Sequence, residues 1–276
     1  MQIEKQPQHK RKRFSRIDRL AIGIVCAYAL LVAITQWGGV GGVGLDPIWA
    51  AAQQRGSLRV VTDPGWRPFA DVVDGEFVGY DMDLAREIGR RLNLTIEFRT
   101  TSYDALYDSL VNGDADLVAA ALPYAPEQGE RARFSEFYFN AGQVLVVPKE
   151  SPINSLDQLG GLRVGTALGS DADGLARRMV ASGAEFTLAN DFDEASQALN
   201  ALARGQLDAV IVDHVAGQIG CSQHPELRIV RPELTFEPYA LAMPASAFQL
   251  NANVNRVIEE LQKEGFFEEL NQRWFR

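Results

Sequence analysis

Three short stretches carry the residues best suited to gripping a small molecule. Asp63-Pro64-Gly65-Trp66-Arg67-Pro68-Phe69 is a turn dense in Pro and Gly that holds an acid and two large aromatics. Trp66 is free to wall a ligand, whereas Phe69, beside Pro68, reads as a cap on the core. Leu168-Gly169-Ser170-Asp171-Ala172-Asp173-Gly174 is a small-residue turn opening a helix, where outward N–H groups form a seat for an anionic group. Asp171 has two roles open to it there, helix N-cap or ligand contact. Asp213-His214 follows an apolar run and sets a carboxylate at a strand end. This is binding chemistry. The chain has no GxxxxGKS/T, HExxH, CxxC or GxSxG. Its three histidines, His9, His214 and His224, stand at no metal-ligand spacing, so no catalytic residue, metal or cofactor is expected. Paired carboxylates stay open as an alternative, because acids are plentiful and could meet in space.

The elements that must position these stretches follow from periodicity. Strand Leu58–Thr62 leads into the first turn. Helix Asp81–Leu92 sets Met82, Ala85, Ile88 and Leu92 near one face, with Asp81 at its start to satisfy free N–H groups. Strand Leu94–Phe98, helix Tyr103–Val111 and strand Asp116–Leu122 complete βαβαβ. The joint Leu110-x-x-Gly113-x-x-Asp116 returns as Leu202-x-x-Gly205-x-x-Asp208, each time followed by an apolar run. Gly ends the helix in the left-handed cap and a buried strand starts soon after. The rest reads as strand Val144–Val147, strand Arg163–Thr166, helix Leu175–Val180, helix Glu194–Ala203, strands Ala209–Val212 and Leu227–Val230, segment Glu237–Met243 and helix Ala252–Phe275. The predicted fold is α/β and two-lobed, with residues 57–145 and 240–276 in the first lobe and 146–239 in the second. Two hinge strands join the lobes, so closure is a rigid-body motion about a few residues.

Charge is divided unevenly. The chain of 276 residues is 46% hydrophobic and 23% charged, with a net charge of -9. Residues 1–19 hold seven basic and two acidic side chains, which leaves the remainder at -14. An acidic body excludes binding to nucleic-acid phosphates. The basic stub precedes Leu20–Trp37, eighteen residues without a charge, at the short end of a bilayer-spanning helix. The positive-inside rule keeps the stub in the cytoplasm and places the body outside the cell membrane. The segment is either a retained anchor or a cleaved signal. Residues 38–56 form a linker whose Gly-rich start is a flexible tether. Cys26 and Cys221 are the only cysteines, so the folded body has no internal disulfide.

From Leu58 to Phe275 the chain resembles the extracytoplasmic solute-binding proteins of amino-acid ABC importers, the bacterial family 3 with the periplasmic-binding-protein type II fold. The resemblance rests on Thr62-Asp63-x-x-Trp66-x-Pro68-Phe69, Val78-Gly79-Tyr80-Asp81-Met82-Asp83-Leu84, Tyr103 with the Leu110-x-x-Gly113-x-x-Asp116 joint, Phe134-Ser135-x-x-Tyr138, and Glu264-Gly265 with Trp274-Phe275. It implies a monomer that captures a small polar solute, an amino acid or an amine-like molecule, and delivers it to ABC permease subunits. By the same resemblance Asp63, Trp66 and Tyr103 line the first lobe's side of the cleft. Ser170 and Asp171 lie in the turn that holds a carboxylate, and Asp213 receives an ammonium group. Two other readings stay open: a ligand-sensing ectodomain acting with a partner, and a cyclohexadienyl dehydratase-like enzyme on the same scaffold.

The departures from the family pattern bear on the ligand. The family's strand end is G-x-T-x-T-x-E-R, whose Thr and Arg clamp the solute's α-carboxylate. Here it reads Ala121-Leu122-Pro123-Tyr124-Ala125-Pro126-Glu127-Gln128, in register. Gln128 replaces the Arg, Pro123 and Ala125 replace the two Thr, and Asp171 replaces the turn's second hydroxyl. Losing the guanidinium removes the strongest side-chain anion contact. Asp63, Asp171 and Asp213 with Trp66 and Tyr103 suit a cationic amine. An amino acid held by Ser170 and backbone groups is the alternative.

Overall fold

The computed structural model describes residues 46–275. The basic stub, the apolar run at 20–37 and the Gly-rich tether up to residue 44 lie outside the described residues. Among the described residues no helix is long and apolar enough to cross a membrane.

Helix α1 (Pro47–Arg55) begins at Asp46, whose Oδ1 accepts from the N–H groups of Ile48 and Trp49. The other carboxylate oxygen accepts from Gln249 and Leu250 at the start of α7 (Phe248–Glu264), so one buried acid starts two helices and ties them together. The first sheet has the order β4 (Thr95–Thr100), β1 (Ser57–Thr62), β5 (Leu117–Val118), β12 (Pro238–Pro244), β6 (Ala132–Asn140). β1 runs parallel to β4 and β5, and β12 runs antiparallel to β5 and β6. Helices α2 (Tyr80–Leu92) and α7 bury Met82, Leu84, Ile88, Val254, Val257 and Ile258 with Leu58 and Val60 of β1. A hairpin of β2 (Asp71–Val73) and β3 (Glu76–Val78) precedes α2, and α3 (Leu106–Val111) precedes β5.

The second sheet has the order β11 (Leu227–Val230), β7 (Gln143–Pro148), β10 (Ala209–Asp213), β8 (Arg163–Ala167), β9 (Thr187–Phe192). Helices α4 (Asp171–Ala181), α5 (Ala195–Ala203) and α6 (His214–Gln223) accompany it. The chain passes between sheets twice, from β6 to β7 and from β11 back to β12. The two crossings are sewn together. The Asn140 side-chain oxygen accepts from Gly142 N at 3.0 Å and Glu237 N at 2.8 Å, and Thr235 Oγ1 accepts from Gln143 N at 2.7 Å. A Cβ at Gly142 would lie 2.2 Å from the Thr235 carbonyl oxygen, so no larger residue fits where the crossings touch.

The structure corrects four expectations. The terminal helix over 252–275 is two helices, because Gly265 at φ +80° ends α7 and α8 (Phe266–Trp274) starts anew. The helix expected from Leu175 begins four residues earlier, at Asp171. The strand β9, Thr-Leu-Ala-Asn-Asp-Phe, was not expected, since it is a half-buried edge without apolar alternation. Finally, Asp81 does not cap its helix. Gly79 occupies that position without a side-chain bond, and the Asp81 carboxylate is turned inward to Ala121.

Candidate functional site

The first sheet offers an acid and two aromatics just past its parallel strand ends. Asp63 follows β1, and its Oδ2 accepts from Tyr103 N at 3.1 Å, binding two loops into one wall. The turn that carries Trp66 is closed by Gly65 N and Trp66 N, both donating to the Ala70 carbonyl, and by Phe69 N and Ala70 N donating to the Trp66 carbonyl. Phe69 drops into the core against Tyr80, Phe139, Tyr239 and Phe275. Trp66 is left outside, 57% exposed, with Tyr103 40% exposed and the ring centroids 6.3 Å apart. Two exposed rings beside a carboxylate suit stacking and cation–π contact.

The strand end after β5 has little left to donate. Ala121 adopts φ +47° and gives its N–H to the buried Asp81 at 2.6 Å. Burial pushes the Asp81 carboxyl up to about 7, against the opposing influence of the Ala121 N–H and the nearby Tyr138 hydroxyl. Pro123 has no N–H and pairs with Tyr239. The Gln128 side-chain oxygen accepts from Arg131 at 3.2 Å, so Gln128 turns to a neighbour in its own loop. Arg131 is held by Asp108 and lies over the Tyr107 ring, while Arg133 lies 4.0 Å over Phe248. Neither guanidinium takes the place of the absent clamp.

The second sheet presents its own group of residues. A cavity of about 330 Å³ is lined by Gln143, Ala167, Ser170, Asp171, Val212 and Asp213 among others. It therefore brings Ser170, Asp171 and Asp213 together. Ser170 is the N-cap of α4: its Oγ accepts from Asp173 N at 3.1 Å and donates to the Ala167 carbonyl at 2.7 Å. Asp171 is the first helical residue, which removes the capping role considered for it. The anionic seat expected here is partly filled from within. The buried Asp173 carboxylate accepts from Gly169 N at 3.0 Å, from Asn190 at 2.8 Å and from Arg177 at 3.0 Å. Asp213 caps α6, its Oδ1 accepting from Ala216 N at 2.8 Å, and the second oxygen takes no hydrogen bond among the described residues.

Besides Gln143, the site holds Tyr239 and His214, to which the sequence assigned no role. The Tyr239 phenol is pushed up to about 12, first by burial and then by the charges of Asp81, Asp213 and Tyr103 and Glu237 nearby. It therefore stands within electrostatic reach of groups on both sheets. His214 stacks on Phe139 with centroids 5.1 Å apart, and its Nδ1 lies 2.7 Å from the Asn140 carbonyl oxygen at the first crossing. Tyr239 is the single aromatic of the segment Glu237–Met243 and His214 a lone histidine, so neither carried a pattern.

This geometry has counterparts among known proteins. The model of the bacterial extracellular solute-binding proteins, family 3, matches residues 58–276. The chain belongs to that family. A curated member, the ABC transporter glutamine-binding protein GlnH of Bacillus subtilis (strain 168), is 26% identical over 206 residues, 73% of this chain and 74% of that protein. The L-cystine solute receptor of Neisseria gonorrhoeae, solved in its unliganded open conformation, superposes with a TM-score of 0.70 at 25% identity, over 83% of this chain and 96% of that one. An ancestral cyclohexadienyl dehydratase superposes with a TM-score of 0.71 at 26% identity, over 82% of this chain and 95% of that one. The two-sheet architecture is thus that of the periplasmic-binding-protein type II fold, and most matched relatives are binding proteins.

Proposed function

We propose that this chain captures a small amine-bearing solute, a cationic amino acid or a simple amine, outside the cytoplasm and hands it to an ABC importer. The basic stub and apolar run at its start would tether it to the membrane. The observation that carries the solute class is the balance of donors and acceptors. Asp63 and Asp213 stand at strand ends and Asp171 at the start of α4, all as acceptors. At the family's carboxylate-clamping positions, Ala121 N–H is committed, Pro123 and Ala125 have no side-chain donor, and Gln128 faces Arg131. Trp66 and Tyr103 add ring faces that attract a cation. The relatives support the importer role, since the glutamine-binding protein belongs to an ABC transporter.

The test is isothermal titration of the purified body with L-arginine, L-histidine, L-glutamine, L-glutamate, putrescine and choline. Micromolar or tighter binding of a cationic member is expected, with L-glutamate silent. Tight binding of L-glutamate alone would overturn the cationic assignment. The dehydratase neighbour favours a second reading, an enzyme on this scaffold. That chemistry needs anion clamps for its carboxylates, which the donor-poor strand end does not offer; prephenate turnover by the purified body would establish it.

A further inference from the structure

Gln143 is the first residue of β7, just after the crossing from the first sheet. Its backbone is fully engaged: the N–H donates to Thr235 Oγ1 and the carbonyl accepts from Leu234 N at 2.7 Å. Its side chain is not. The residue is 4% exposed, lines the cavity shared with Ser170, Asp171 and Asp213, and its Oε1 is wholly buried without a hydrogen-bond partner among the described residues. A buried amide oxygen left unmatched costs free energy, and native proteins match nearly all of them. The cavity that Gln143 lines is where a partner can reach its side chain.

The register says what that partner is. Gln143 and Asp213 are directly paired across the antiparallel β7–β10 ladder, which sets their side chains on one face, about 5 Å apart at Cβ. Asp213 has one carboxylate oxygen committed to Ala216 N and the other without a partner among the described residues. Two unmatched acceptors side by side, with Asp171 on the same cavity wall, repel a carboxylate and match a group with several N–H donors.

We propose that Gln143 is a specificity-determining residue whose Oε1, together with the free oxygen of Asp213, accepts hydrogen bonds from one ammonium or guanidinium group of the solute. This rests on the solute-capture reading above and names how that site selects. Because Gln143 N is also held by Thr235 of the return crossing, a solute bound to this amide is joined directly to the hinge.

The test compares Gln143→Leu and Gln143→Glu with the parent protein, by titration with L-arginine, putrescine and choline and by thermal melting without ligand. Gln143→Leu keeps the size and removes the acceptor. It should weaken whichever N–H-bearing probe the parent binds by about tenfold, the value of one hydrogen bond to a charged group. Choline, with no N–H to give, should bind both proteins alike. Without ligand, Gln143→Leu should melt at the same or a higher temperature, since it deletes an unmatched polar atom. Gln143→Glu should hold a cationic probe at least as tightly as the parent. An unchanged affinity of Gln143→Leu for the N–H-bearing probes, or a lowered melting temperature accompanying a loss of binding, overturns the assignment. So does a Gln143→Glu protein that loses the cationic probe. A parent protein that binds none of the six solutes titrated above overturns the solute-capture reading itself, before any variant is compared; one that binds choline but no N–H-bearing solute overturns the Gln143 assignment.

Discussion

The joint that delivers β5 to the first sheet and the joint that delivers β10 to the second share one backbone design in different surroundings. In each, a helix ends at a glycine in the left-handed region, Gly113 at φ +75° and Gly205 at φ +73°. In each, the aspartate three residues on exchanges two bonds with an arginine backbone on the neighbouring strand. Asp116 N donates to Arg59 O and Asp116 Oδ2 accepts from Arg59 N, both at 2.9 Å; Asp208 N donates to Arg163 O at 2.9 Å and Asp208 Oδ2 accepts from Arg163 N at 2.8 Å. The difference lies in the side chains. Asp116 is 1% exposed and also holds the guanidinium groups of Arg59 and Arg55, whereas Asp208 is exposed and takes no side-chain partner among the described residues. Helix α1, which ends at Arg55, supplies the extra cation on the first sheet alone. The repeat thus sets the backbone geometry, and the elements packed over it set its energy.

The largest expected effect separates the two aspartates. Asp116→Ala strands two arginines around a buried position and should cost about 3 kcal/mol, taken at the low end because both arginines keep some solvent contact. Asp208→Ala loses one exposed charge-assisted bond to a backbone N–H and should cost about 1 kcal/mol. Urea unfolding of the two variants measures both values. Equal costs would mean that the buried ion cluster adds nothing, and the contrast between the joints would fail.

How much of this could be read from the chain depended on whether a signal was local. The joints, the two-part α/β architecture and the Trp66 turn were legible, because Gly, Asp and Pro at fixed spacing act on their immediate neighbours. Asp81 was misread for the opposite reason. A carboxylate at a helix start has a local use as a cap, and only the folded chain brings Ala121, forty positions away, to claim it. The Ser170 turn failed similarly: its glycine and serine were visible, but Asn190, seventeen positions away, helps to hold the Asp173 carboxylate inward. Gln143 was silent in the sequence. An unmatched amide is defined by what does not surround it, and a strand-initial glutamine carries no pattern of that kind.

The second effect sharpens the comparison at the other end of the same strands. Past β10, Asp213 is exposed and serves as a helix cap; past β5, the backbone at Ala121 is pinned by a buried acid. Burial raises the Asp81 pKa from an ordinary 3.8 to about 7 in the folded protein. The folded state therefore holds this proton more tightly than the unfolded chain. The stabilisation is fully present below 3.8 and is lost as the pH rises through about 7. Asp81→Asn keeps an acceptor for Ala121 N–H and removes the buried charge. It should raise stability above pH 7 by on the order of 2 kcal/mol and flatten the slope between pH 4 and 7. Melting temperatures of parent and variant at pH 5 and pH 8 provide the measurement. A variant that melts below its parent at pH 8 would show that the ionised carboxylate is the better partner for the strained turn.

The smallest effect tests whether the joints are one device. A Cβ built on Gly113 or on Gly205 meets nothing within 4 Å, so packing gives no reason for the cost of Gly→Ala to differ between them. What remains is the backbone, within 2° of the same φ at both sites. An L-residue held there pays the left-handed penalty, about 1 kcal/mol. Gly113→Ala and Gly205→Ala should therefore destabilise by the same amount, within about 0.5 kcal/mol, although Gly113 also accepts from Arg59 Nη1 at 2.7 Å and Gly205 has no such bond among the described residues. If the first joint proves costlier by a full kcal/mol or more, the arginine cluster must be stiffening the turn itself, because a rigid neighbour prevents the small backbone relaxation that would otherwise relieve the alanine. The two joints would then differ in mechanics as well as in electrostatics, and their likeness would end at the trace of the chain.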